Sequence, residues 1–191
     1  VFDRYEKFFL PPDTTYTEAA ELPCWGDGME ISSFQLPIEQ VDEISPTDSS
    51  YINNSSVISI LKYKDYRFAF CGDMERAGMQ ELLDSNAALR NDIRGVHFLL
   101  TPHHGHTSGF SEEWFRVAGP TTIANIASER RRGWRDEDPG QTAIDDRYGT
   151  ELYCKGENRA GRRLVSTKVD GHIVIDIADD GRWSWNVQPR T

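Results

Sequence analysis

The sequence contains no apolar run approaching the ~20 residues that a bilayer-spanning helix needs. The longest such stretches, as around Val57–Leu61, are a few residues each, and they exclude a spanning helix. Cysteine is nearly absent. Cys24, Cys71 and Cys154 are an odd and sparse set, so no disulfide framework is implied and a reducing compartment, the cytoplasm, is favoured. No signal peptide, internal repeat or low-complexity tract is visible in these residues. Large apolar residues are scarce as well. Leu, Ile, Val and Phe make 42 of 191 residues, just above the level at which a chain cannot offset the entropy of ordering itself. One lean core is therefore expected, of a size for a single domain.

Acidic charge is plentiful and unevenly placed. The net charge is −10. Residues 1–50 carry eleven acids against two bases, Arg4 and Lys7, whereas residues 51–191 are nearly balanced, with twenty acids and nineteen bases. Overall acidity argues against a general nucleic-acid coat, whose footprint is a basic face. Local basic clusters stand at Arg130, Arg131, Arg132 and Arg135 and at Arg159, Arg162 and Arg163. They read first as mixed-charge surface loops and second as local holds on a nucleic-acid substrate.

Organisation follows from composition. Residues 1–28 read as an irregular acidic segment, and residues 29–191 as the folded part. Met29–Leu36 has the pattern of a strand, and residues 37–56, rich in Asp, Ser and Asn, read as loop. Val57–Leu61 and Tyr66–Phe70 are β-branched and aromatic around a short polar stretch, so they predict a hairpin. Met74–Asp84 carries apolar residues at helical spacing. Val96–Leu100 reads as a buried strand, Ser111 as the N-cap of a helix with Glu112 and Glu113 in its first turn, and Thr121–Ala127 as a further strand. A short helix is expected at Thr142–Arg147. Short strands follow at Leu152–Cys154, Leu164–Lys168, His172–Ile177 and Arg182–Val187, with hairpin turns at Asp170-Gly171 and Asp179-Asp180-Gly181. This order fits an α/β fold of two sheets with helices on their outer faces.

Three of the five histidines, His103, His104 and His106, fall within four positions, directly after an apolar strand. Thirty residues earlier another strand runs into Gly72-Asp73. A carboxylate and an imidazole at strand ends are the donors that Zn²⁺ or Mn²⁺ takes. In extended backbone the side chains of His103 and His104 point opposite ways, so one reaches a given ion and the other serves as a supporting or substrate contact. Bland readings stand beside these. Asp73 could simply cap the following helix, and adjacent loop histidines are usually solvated. His97 and His172 read as packing or surface residues. Cys71, inside a strand, reads as a small buried side chain rather than a nucleophile.

The runs Asn53-Asn54-Ser55-Ser56-Val57-Ile58-Ser59-Ile60-Leu61, Tyr66-Arg67-Phe68-Ala69-Phe70-Cys71-Gly72-Asp73 and Phe98-Leu99-Leu100-Thr101-Pro102-His103-His104-Gly105 together resemble the metallo-β-lactamase superfamily. The likeness is nearest to the hydrolase domain of ComEC-type competence DNA-uptake proteins. It covers residues 28–178, with its specific part in 53–105, and phosphorylcholine-esterase-like members share the histidine cluster. The resemblance implies an αββα sandwich with two divalent metal ions, zinc or manganese. It also implies hydrolysis of a phosphodiester or related ester by a metal-activated water. Carried over, Asp73 bridges the ions and takes part in catalysis with His104. His103 or His104 is a terminal ligand, and Asn53, Asn54 and His106 lie on the substrate side.

The superfamily's leading His-x-His-x-Asp-His motif has no counterpart here, since the 52 residues before Asn53 contain no histidine. Two explanations follow. In the favoured one, the chain, which starts at Val1, is the C-terminal portion of the fold and needs an N-terminal half, from the same precursor or another chain, to cover its open sheet edge and supply the remaining ligands. In the other it is a degenerate, catalytically inactive interaction module.

Overall fold

The alternation of buried and half-exposed residues along the strands sets the architecture. The computed structural model describes residues 28–119, 124–127, 164–167 and 170–188. A six-stranded sheet runs in the spatial order of the chain: β1 (Met29–Phe34), β2 (Ile58–Tyr63), β3 (Tyr66–Phe70), β4 (Phe98–Leu100), β5 (Ala124–Ala127) and β6 (Leu164–Ser166). The first two pairings are antiparallel and the last three parallel. The fold is mixed α/β.

Side chains alternate across this sheet. Ile58, Ile60, Ala69 and Leu99 are buried on one face, in a single cluster with helix residues. The helices are α1 (Ile38–Ile44), α2 (Asp48–Asn54), α3 (Arg76–Ser85), α4 (Ala87–Ile93) and α5 (Glu112–Ala118). Met79, Leu82, Leu89, Ile93 and Trp114 provide the buried helical side of that cluster, each at most 2% exposed. Each such burial contributes roughly 1.5–3 kcal/mol, so the core is lean in number but dry. Ser111 caps α5 as expected, its Oγ accepting the Trp114 N–H at 3.2 Å.

The opposite face receives a separate hairpin, β7 (His172–Ile177) and β8 (Trp183–Gln188), paired antiparallel. Phe98 stacks on Phe68 at 4.9 Å and meets the edge of Trp183 at 5.4 Å. At the rim, the Tyr66 hydroxyl donates to Gly181 O (2.9 Å) and Lys64 Nζ to Ala178 O (2.7 Å). Helices, sheet and hairpin thus form three successive layers. No helix among the described residues is long and apolar enough to cross a membrane.

Several expectations need correction. Residues 37–56 are largely α1 and α2, not loop. Each is seven residues long, too short for periodicity to show, although Thr47 accepts the Ser50 N–H (3.1 Å) as an N-cap. Helix α4, capped by Asn86 Oδ1 on Leu89 N (2.9 Å), also escaped the reading. Asp170-Gly171 does not join paired strands: β6 pairs with β5 and β7 with β8. Instead Asp170 closes a turn on Ser166, whose N–H it accepts at 2.9 Å. The segment 1–27, both arginine clusters, Cys24, Cys154, the helix at Thr142–Arg147 and the strand at Leu152–Cys154 lie outside the described residues.

Candidate functional site

Strands β3 and β4 are parallel neighbours in the register Phe68↔Phe98, Ala69↔Leu99, Phe70↔Leu100, so their C-terminal ends stop side by side. In α/β sheets this is the end at which loops gather functional groups. Asp73 lies three residues beyond Phe70 and His104 four beyond Leu100. Parallel pairing alone therefore brings together two residues 31 positions apart. Asp73 Oδ1 stands 3.1 Å from His104 Nε2, with the two side chains 46% and 45% exposed. They border a hollow of about 310 Å³ whose walls include Phe70, Leu100, Thr101, Ile126 and Thr167.

The loops are held from beneath. His103 N–H donates to Gly72 O at 3.0 Å, tying the two strand-end loops together. Asp73 N–H donates to Ser56 Oγ at 3.1 Å. Arg76 grips the histidine loop from α3, donating to Phe110 O (2.9 Å) and Thr107 O (3.3 Å). Gly109 has no room for a side chain, because a Cβ would stand 2.5 Å from Pro102 O and 2.8 Å from His103 Cβ. Two consecutive non-glycine residues take the left-handed conformation, His103 (φ 44°) and His104 (φ 59°). Each costs roughly 1–3 kcal/mol and persists only where surroundings over-determine it, which happens preferentially at functional sites.

The Asp73 cap reading does not hold. Helix α3 starts at Arg76 with Glu75 as its N-cap, leaving the Asp73 carboxylate free to meet His104. Cys71 is fully buried, and burial pushes its thiol far above the ordinary range, which fits the inert packing role expected of it. His97 packs edge-on to Tyr66 at 5.3 Å and its Nδ1 accepts the Arg67 N–H at 3.2 Å. Burial holds its pKa below the usual value, the Arg67 charge adding to this and Asp65 partly opposing it. His172 is exposed on β7.

His103 departs from His104. Its Nδ1 lies 2.6 Å from Ser108 Oγ and 3.8 Å from Glu75 Oε1. Asn53 Nδ2 donates to that same Glu75 oxygen at 2.9 Å, and His106 Nδ1 lies 2.9 Å from Ser108 Oγ. Asn53, His103 and His106 thus share one polar network. Asn54 is fully buried, accepting the Glu75 N–H (3.1 Å) and donating to Ser45 Oγ (3.1 Å), so its amide is engaged inside the fold. Sequence reasoning missed Glu75 and Ser108. Their only signal was spacing: two residues after Asp73 and two after His106.

A carboxylate oxygen and an imidazole nitrogen 3.1 Å apart are donors of the right kind for Zn²⁺ or Mn²⁺. They make two ligands. Among the described residues no group of three or more His, Cys, Asp or Glu is placed to hold an ion, so the pair fits part of a metal site and not a complete one.

No family model matches the chain, and no solved structure matches it. Among curated proteins it is similar to WD repeat-containing protein JIP5 of Coccidioides immitis (strain RS), 36% identical over 86 residues. The match covers 44% of this chain and 19% of that protein, so it spans about a fifth of the relative's own length.

Proposed function

We propose that this chain is the C-terminal portion of a metal-dependent hydrolase of the metallo-β-lactamase superfamily, acting on a phosphodiester or related ester. Its α/β layers are then part of an αββα sandwich, completed by an N-terminal half that adds the missing ligands for two divalent ions. The observation that carries the reading is the 3.1 Å approach of Asp73 to His104 at the ends of adjacent parallel strands, in the order that the family motif requires.

In this reading Asp73 Oδ1 and His104 Nε2 are the two ligands the chain contributes. The chemistry such ions supply when bound is acidification of water to a pKa of ~7 and neutralisation of developing negative charge. Gly72 O and Ser56 hold the two loops, so the pair keeps its geometry without rearrangement. The hollow beside it, floored by Leu100 and Ile126, receives the substrate group next to the scissile bond. A nucleic-acid backbone is one candidate phosphodiester, with the arginine clusters as its counter-charges.

The incomplete ligand set supports a second reading, an inactive module that keeps the fold for binding. One experiment separates the two. The longest natural polypeptide containing this sequence is assayed with bis(p-nitrophenyl) phosphate and p-nitrophenyl acetate in added Zn²⁺ or Mn²⁺. Hydrolysis that Asp73→Ala abolishes supports the enzyme. Absence of turnover of both, or turnover unaffected by Asp73→Ala, removes it.

A further inference from the structure

Ser108 Oγ sits between two imidazoles, 2.6 Å from His103 Nδ1 and 2.9 Å from His106 Nδ1. A hydroxyl has one proton, so it can donate to only one of them. The backbone decides which. Ser108 N–H donates to His106 Nδ1 at 3.2 Å, and that nitrogen therefore carries a lone pair, placing the His106 proton on Nε2. If the Ser108 hydroxyl proton went to His103 instead, the Oγ and His106 Nδ1 lone pairs would face one another at 2.9 Å. The bare His103 Nδ1 would also point a lone pair toward the Glu75 Oε1 carboxylate, 3.8 Å away. Both repulsions vanish in the opposite arrangement. There Ser108 donates to His106, and His103 Nδ1–H donates to Ser108.

From this we infer that Ser108 is a positioning residue that sets the tautomers of the histidine loop, fixing the His103 proton on Nδ1 and leaving His103 Nε2 as a lone pair. Glu75 reinforces the assignment by placing negative charge beside Nδ1–H, and Asn53 holds that carboxylate in place from α2. The loop cannot easily escape the arrangement, since Gly109 packs against His103 Cβ and Pro102 O. The His103 and His104 ring centroids are 5.9 Å apart, so the lone pair fixed by Ser108 belongs to the immediate neighbour of the Asp73–His104 pair. Its relevance to hydrolysis rests on the function proposed above, whereas the tautomer assignment rests on hydrogen-bond geometry alone.

The test is long-range ¹H–¹⁵N NMR of the histidine rings in the intact chain at neutral pH, with Ser108→Ala and Ser108→Thr as variants. The wild type should show His103 with a protonated Nδ1 and a pyridine-type Nε2, and His106 with the reverse. In Ser108→Ala, His103 should lose its pure pattern and report a mixture of tautomers. His106 should keep its own, because residue 108 still offers its backbone N–H. Ser108→Thr should restore His103. A wild-type His103 protonated on Nε2 overturns the inference, as does an unchanged His103 in Ser108→Ala. Should Ser108→Ala fail to fold, the wild-type spectrum decides. Correct tautomers in a protein that hydrolyses nothing would refute the hydrolase and leave this assignment standing.

Discussion

His103 and His104 are neighbours in sequence and occupy opposite kinds of environment. His104 meets Asp73 in the open, both side chains nearly half exposed. His103 is enclosed among Glu75, Ser108 and His106. Left-handed backbone at both positions directs one ring outward and the other into the support beneath. The outer pair, which supplies the ligands in the proposed function, adds little to stability, because exposed polar pairs of this kind contribute roughly 0–1 kcal/mol. The inner network is arranged to hold shape, because half-buried polar groups are costly to leave unmatched.

Substitutions can break this division. The largest effect is expected at the outer pair. In the proposed function Asp73→Ala should abolish hydrolysis, while the unfolding free energy from denaturant titration changes by no more than ~0.5 kcal/mol. A large stability loss there would mean that the pair is structural. Gly109→Ala should disturb both regions together. Its Cβ collides with backbone as well as with His103, and a cost of roughly 1–3 kcal/mol in urea titration is expected, accompanied by lost activity. Asn54→Ala strikes beneath the inner network. It strips a partner from Glu75 N–H and from Ser45 Oγ, for a loss of about 1–3 kcal/mol on the same measurement.

The smallest effect concerns His97, which stands outside both regions and sharpens the contrast by calibration. Its pKa in the fold lies below the usual 6.5, so the unfolded chain takes up the proton first. Its contribution to stability is fully present above about pH 6.5 and is lost as pH falls below that value toward the folded pKa. His97→Gln should therefore reduce the drop in Tm between about pH 7.5 and 5.5. An identical drop in the variant would assign the acid sensitivity to other groups.

Much of the frame was legible in the sequence because two-residue alternation and turn chemistry are local signals. The β2–β3 hairpin, the Ser111 cap and the β7–β8 hairpin around Asp179-Asp180-Gly181 could be read directly. The short helices α1, α2 and α4 could not, since seven residues hold too few turns for a periodic stripe. The candidate site divides in the same way. Asp73 and the histidine loop announce themselves at strand ends, and parallel pairing of β3 with β4 explains their meeting. Which of two adjacent histidines faces Asp73 depends on left-handed backbone at His103 and His104, which non-glycine residues rarely adopt. Likewise, Glu75 and Ser108 reach the network through tertiary packing of α2, α3 and the histidine loop, not through a local pattern.

The central claim is that Asp73 and His104 contribute ligands to a shared metal centre finished by another part of the fold. Metal analysis of the longest natural polypeptide carrying this sequence tests it most directly. The account predicts about two zinc or manganese ions per molecule in the wild type and a reduced content in Asp73→Ala. A wild-type protein purified without chelators that retains no divalent ion, or an Asp73→Ala protein with undiminished content, would contradict it.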